Sequence, residues 1–314
     1  MEAAVEAHAL RKVFARGRRR PPVEAVRGID LRVERGERVA YIGPNGAGKS
    51  TSIKMLTGIL VPSGGTATVL GLVPWRQRMA LARRIGTLFG QRSQLWFQLA
   101  PRATLSLLAR IYGLSPAEGR RRTAELAELL DAEDLLDVAV RELSLGQRMR
   151  CELAASLLHG PEVLFLDEPT IGLDLVAKQR FRELVVRLNE QANTTIFLTS
   201  HDVADIEHVA ERVVVINHGT LIYDATVDRL RRELLDTKLV EVRFEPGGDV
   251  LELDGICPTR VAEGVYRFEV DTRARSVREV LDDLLEHHPV ADISVVDPPL
   301  EDVIGRIYAM PRSA

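Results

Sequence analysis

Long apolar runs are missing from this chain. None approaches the roughly 18 residues that a membrane-crossing helix needs, and the acidic opening Met1–Glu6 lacks the basic-then-apolar layout of a secretory leader. On that reading the chain stays in the cytoplasm and borrows any membrane segment from another polypeptide. Cysteine is nearly absent: Cys151 and Cys257 are the two in 314 residues, which excludes a disulfide framework and gives no zinc-type spacing. Cys151 reads as a small core residue. An excess of positive charge is also lacking, since the formal net charge is -3; nothing here wraps nucleic acid by electrostatics. The basic charge is almost all arginine, and its densest run, Arg16–Arg20, reads as a solvated loop joining two edge strands. With 46% apolar and 28% charged residues, the composition is that of a globular protein with room for one full domain and a smaller one.

What is present is concentrated in one stretch. Gly43-Pro44-Asn45-Gly46-Ala47-Gly48-Lys49-Ser50-Thr51 follows the apolar strand 38–42 and opens an amphipathic helix. The spacing is that of a phosphate-cradling loop: glycines let successive N–H groups turn inward, and the positive end of the helix adds to the same field. Lys49 would reach the β- and γ-phosphates of a nucleoside triphosphate, and the Ser50 hydroxyl would take one position on a magnesium ion. A second strand, Val163-Leu164-Phe165-Leu166-Asp167-Glu168, ends four apolar residues with two acids, the pattern of a buried parallel strand stopping at a ligand crevice. Asp167 is suited to hold magnesium through water, and Glu168 to orient or deprotonate an attacking water.

Between these elements lies Leu143-Ser144-Leu145-Gly146-Gln147, read as leading into a helix over 148–159. With it the chain resembles the ATP-binding subunit of an ABC transporter, in motifs that run in that family's order over about residues 5–225. The resemblance implies that Gln91, after the apolar run 85–89, touches magnesium and senses the membrane partner. It implies that Asp174, in Gly172-Leu173-Asp174, lies in the loop through which two subunits communicate. His201, after the strand 194–199, matches the switch histidine on the γ-phosphate, and Phe14 the aromatic that stacks on adenine. Ser144, Gly146 and Gln147 would bind the γ-phosphate held by the opposite subunit, in a head-to-tail dimer of identical or paired ATPase subunits. Leu145 departs from the family, which usually has glycine there; altered geometry or rate is expected, not a dead site.

The implied fold is an α/β P-loop core with an antiparallel β subdomain and a helical subdomain at about 92–145. Residues 1–230 form the nucleotide-binding domain, and a small α+β domain fills 231–314. In that second domain, strands 238–244 and 250–253 flank the turn 246–249 as a hairpin, and 265–270, a helix over 274–287 and 293–296 complete a small sandwich. The ending Pro299-Leu300-Glu301-Asp302-Val303 resembles the tail of ATPases in the type-2 export class, which includes drug-resistance and sodium-efflux systems. The expected function is therefore ATP hydrolysis on the cytoplasmic face, energising export through a separate permease that docks near Gln91–Phe97, where Trp96 and Phe97 offer aromatic anchors. The alternative is a soluble ABC ATPase acting on ribosomes or DNA. One cassette, no heptad array and no zinc-spaced cysteines count against it.

Overall fold

Five apolar runs that carry little charge become the parallel strands of one sheet, because parallel strands are covered on both faces. The computed structural model describes residues 3–15, 21–89, 93–235, 237–245, 256, 258–296, 304, 305 and 307. The chain divides into two compact units, Met1–Ala225 and Thr226–Pro311.

The first unit opens with two twelve-residue antiparallel strands, β1 (Ala3–Phe14) and β2 (Val23–Glu34). Next come β3 (Arg38–Ile42), α1 (Lys49–Leu56), β4 (Gly64–Val69), α2 (Arg78–Ala82) and β5 (Ile85–Phe89). A helical stretch follows, α3 (Pro101–Ile111), α4 (Pro116–Leu129) and α5 (Leu145–Leu157). Proline in the first turn starts both α3 and α4, and Ser115 caps α4 by accepting from the Glu118 N–H at 3.2 Å. Strand and helix then alternate: β6 (Val163–Asp167), α6 (Leu175–Ala192), β7 (Thr195–Thr199), α7 (Val203–Val209), β8 (Arg212–Asn217) and β9 (Thr220–Thr226).

The main sheet runs β5-β6-β7-β3-β8-β9, with parallel pairing from β5 through β8. Its side chains alternate between two cores. Val163, Phe165 and Phe197 face α1 and the antiparallel sheet β2-β1-β4, whereas Leu164, Leu166, Ile196 and Leu198 face the core shared with Leu105, Met149, Leu153 and Phe181. Because β6, β7 and β3 are neighbours, the residues that follow them emerge at one edge of the sheet, where open α/β folds bind ligands.

In the second unit come α8 (Val227–Leu235), β10 (Thr237–Phe244), β11 (Thr259–Ala262), β12 (Val265–Asp271), α9 (Val277–His287) and β13 (Val290–Val296). The expected sandwich is instead one antiparallel sheet, β11-β12-β10-β13, with α9 as its second layer. Val280 and Leu284 of α9 are buried against Val240, Val242, Phe268 and Val270, so the helix's apolar stripe does the covering a second sheet would do. A capping box at Ser276 and Glu279 sets the helix start three residues later than expected. The expected strand 250–253, its turn, Cys257, the arginine run 16–20 and the tail 299–303 lie outside the described residues.

Candidate functional site

The loop between β3 and α1 has a backbone that only glycine accepts at two points. Gly46 has φ 81°, and Gly48 has φ 115° with so little room that an added Cβ would lie 2.5 Å from the Ala25 carbonyl oxygen. The loop is fixed from both sides, the Ala47 N–H donating to Pro44 O at 3.1 Å and the Gly219 N–H to Ala47 O at 2.9 Å. Lys49 begins α1 and is 6% exposed. Its ammonium donates to the Gly43 carbonyl at 2.6 Å and approaches Pro44 O at 3.4 Å and His201 Nε2 at 3.1 Å. Burial holds the Lys49 pKa below its ordinary value against the opposing pull of Glu168 and then Asp167. Asn45, Gly46, Ala47, Gly48, Lys49, Ser50 and Thr51 line a cavity of about 410 Å³ together with Glu168 and His201.

Asp167 ends β6, so its carboxylate meets the start of α1: Ser50 Oγ lies 3.4 Å from Asp167 Oδ1, and Thr199 Oγ1 donates to the same oxygen at 2.7 Å. Hard oxygen donors without a soft ligand suit magnesium, which takes one or two protein oxygens and completes its shell with phosphate and water. Glu168, next in line, has left-handed backbone, φ 54°, an uncommon conformation for a residue with a side chain. Its N–H is held by Thr199, at 3.1 Å to the carbonyl and 3.1 Å to the hydroxyl, which fixes the turn that aims the carboxylate into the cavity.

Glu168 Oε1 is 3.1 Å from His201 Nε2 and 3.9 Å from Lys49 Nζ, yet among the described residues it has no hydrogen-bond partner. Burial, then the charge of Lys49, lowers the His201 pKa, favouring neutral imidazole. Burial likewise raises the Glu168 pKa, ahead of the lowering effect of Lys49. The carboxylate is thus held against Lys49 and His201 at the wall of the cavity.

The other predicted contacts lie elsewhere. The helix expected from residue 148 begins at Leu145, because Ser144 caps it: its Oγ accepts from the Gln147 N–H at 3.2 Å, and Gln147 Oε1 accepts from the Ser144 N–H at 2.9 Å. Ser144, Gly146 and Gln147 line a second cavity, about 780 Å³, with Leu173 and Asp174. Asp174 caps α6, its Oδ1 accepting from the Ala177 N–H at 2.8 Å. Leu145 packs so closely on Gly172, φ 78°, that a Cβ there would lie 2.8 Å from Leu145 Cδ2. Phe14 ends β1 opposite Val23, its ring 5.2 Å from Lys12 Nζ, and does not line the first cavity. Gln91 lies outside the described residues. Thr199, fully buried, was not singled out from the sequence; its signal is a hydroxyl closing the strand Thr195-Ile196-Phe197-Leu198-Thr199.

The ABC transporter family matches residues 26–171. The chain is 34% identical to the daunorubicin resistance ATP-binding protein DrrA2 of Streptomyces coeruleorubidus, over 97% of this chain and 94% of that protein. It is also 34% identical to the ABC transporter ATP-binding protein NatA of Bacillus subtilis (strain 168), over 66% of this chain and 84% of that one. Among solved structures, the ATP-binding cassette MJ0796, bound to ADP and Pi, superposes with a TM-score of 0.65 at 24% identity, covering 71% of this chain and 98% of that one, which gives the fold. Phosphate loop, paired carboxylates, histidine and helix-capping serine, in this fold and with these relatives, place the chain in the ABC transporter family as one of its ATP-binding, ATP-hydrolysing subunits.

Proposed function

We propose that this chain powers export through a separate membrane permease, and that two nucleotide-binding domains, Met1–Ala225 of each copy, close head to tail on ATP. One observation carries the dimer: the phosphate loop, Glu168 and His201 line one cavity, whereas Ser144, Gly146, Gln147 and Asp174 line another. A single copy therefore does not bring the Ser144 helix end to its own phosphate loop. A second copy, identical or a paired ATPase subunit, supplies it, with the helix N-terminus aimed at the γ-phosphate.

In this reading the N–H groups of Gly46–Ser50 and the Lys49 ammonium hold the phosphates. Lys49 exchanges its loop-carbonyl bonds for phosphate oxygens. Ser50, Asp167 and Gln91 would hold magnesium, which when bound draws charge from the phosphate oxygens. Glu168 accepts the proton of the attacking water. His201, neutral, touches the γ-phosphate and holds its place beside Glu168. Phe14 stacks on adenine from the antiparallel sheet. ATP binding closes the dimer and product release reopens it.

The permease is the partner that receives this motion. Trp96 and Phe97 are 46% and 55% exposed, between buried Leu95 and the start of α3, and present an apolar anchor to a helix of the permease. Among the described residues no helix is long and apolar enough to cross a membrane, and we place the chain on the cytoplasmic face, bound through that contact. The relatives named for drug resistance and for Nod factor export support the export direction. The 231–314 region is taken as an accessory domain without chemistry of its own. Purifying Glu168→Gln protein from native membranes with MgATP tests the reading: a polytopic membrane protein should copurify, and recovery of ribosomes or DNA-repair proteins in its place would overturn it.

A further inference from the structure

Asp205 belongs to none of the motifs above, yet it is 1% exposed and every one of its partners is buried. It lies in the first turn of α7, four residues after His201. Oδ1 pairs with Arg182 Nε of α6 at 2.6 Å. Oδ2 accepts two hydroxyls, Ser200 Oγ at 2.6 Å and Thr170 Oγ1 at 2.5 Å. Arg182, Ser200 and Thr170 are 5%, 2% and 3% exposed. A carboxylate removed from water this completely persists only where its oxygens are filled, and here all the filling comes from residues flanking the site. Thr170 is two residues beyond Glu168; Ser200 immediately precedes His201; Arg182 rides on α6, whose N-cap is Asp174.

We infer that Asp205 is a positioning residue for ATP hydrolysis: by binding Thr170 and Ser200 through one oxygen and α6 through the other, it fixes Glu168 and His201 in register with each other and with the Asp174 loop. The local backbone requires such a brace. Glu168 is held in left-handed conformation on one side by Thr199; on the other, the loop that leaves it through Thr170 has the backbone bonds Ile171 N–H to Glu168 O at 3.5 Å and Leu173 N–H to Thr170 O at 3.2 Å, and Asp205 adds the side-chain tie. Asp202, the α7 N-cap, adds a second tie from the same segment to α6, through Lys178 at 2.6 Å and Arg182 at 3.1 Å. Asp202 is part exposed, so the buried junction is Asp205. The inference rests on the roles proposed for Glu168 and His201, since a brace matters to rate only if the groups it braces do the chemistry.

Because removing the Asp205 charge would leave buried Arg182 with only the part-exposed Asp202 as its partner, the test uses the hydroxyls, which can be deleted with the ion pair intact. Thr170→Val and Ser200→Ala, singly and together, are assayed as purified full chain for kcat, ATP affinity and thermal midpoint, beside Glu168→Gln and Thr170→Ser. A misplaced carboxylate predicts kcat lowered about 10- to 100-fold in each single variant with ATP affinity within about twofold. The double variant should be little worse than the poorer single one, because both hydroxyls act through one oxygen, and Thr170→Ser should restore the rate. The inference is overturned if both single variants keep near wild-type kcat while Glu168→Gln is inactive, or if kcat and ATP affinity fall together with the thermal midpoint. Turnover by Glu168→Gln itself would remove the underlying assignment instead.

Discussion

Two of the three sheets described, the six-stranded sheet of the first unit and the antiparallel sheet of the second, are built from similarly apolar strands but put their polar groups to different use. In the parallel sheet, the strands β6, β7 and β3 end side by side, and the residues that follow, Asp167–Glu168, Ser200–His201 and the 43–51 loop, converge within hydrogen-bonding distance. In the antiparallel sheet of the second unit, neighbouring strands run in opposite directions, so their ends alternate between the two sides. Its charges pair locally on the surface instead, Arg267 with Glu241 and Arg275 with Asp283. Parallel order gathers side chains from distant sequence at one edge; antiparallel order spends the same kind of strand on a helix-covered core.

The contrast breaks most sharply through Glu168. Replacing it by Gln should lower kcat by about 10²- to 10⁴-fold, the range for loss of a positioned base, while ATP still binds; a steady-state assay with a nucleotide-binding titration checks both. In the second unit the largest expected effect is on stability. Phe268 is fully buried, and Phe268→Ala should cost about 3–5 kcal/mol, seen as a lowered midpoint for that unit in denaturant or heat with ATP affinity unchanged. A loss of ATP binding there would show that the units are not functionally separate. The pH profile sharpens the comparison further. Protonated Glu168 cannot accept a proton, and since burial raises its pKa above the usual 4.5, kcat should begin to fall at a higher pH than an exposed glutamate would give. His201 has its pKa lowered, so an acid limb no higher in pH than that of an exposed glutamate would count against Glu168 as the base. The smallest effect is Ser276→Ala, which removes the α9 cap and should cost about 1 kcal/mol without touching kcat.

Much of the first unit could be read residue by residue. The strands 38–42 and 85–89 match β3 and β5, and the strand expected over 163–168 ends one residue sooner, at Asp167 of β6, because Glu168 turns into left-handed backbone; a strand covered on both faces is an uninterrupted apolar run. The helical subdomain expected at about 92–145 holds α3 and α4, each of which opens on a proline. β4, Gly64–Val69, was missed: its Gly-Gly-Thr start and exposed residues give neither an apolar run nor clean alternation, and it becomes a strand by pairing with β1. The start of α5 was placed three residues late because Ser144-Leu145-Gly146 reads as loop until the reciprocal bonds of the capping box with Gln147 are made.

By itself, then, the sequence determined the chemistry available: a glycine loop that can approach phosphate, a lysine, two acids at a strand end and a histidine, each visible through local spacing. Local spacing cannot say which of these meet. Tertiary structure decided that Glu168, His201 and Lys49 share one cavity, that Ser144 and Asp174 share another, and that Asp205 joins Thr170, Ser200 and Arg182. The reason is that strand order is set by which apolar faces pack against which helices, and that choice brings together residues as far apart in sequence as Lys49 and His201.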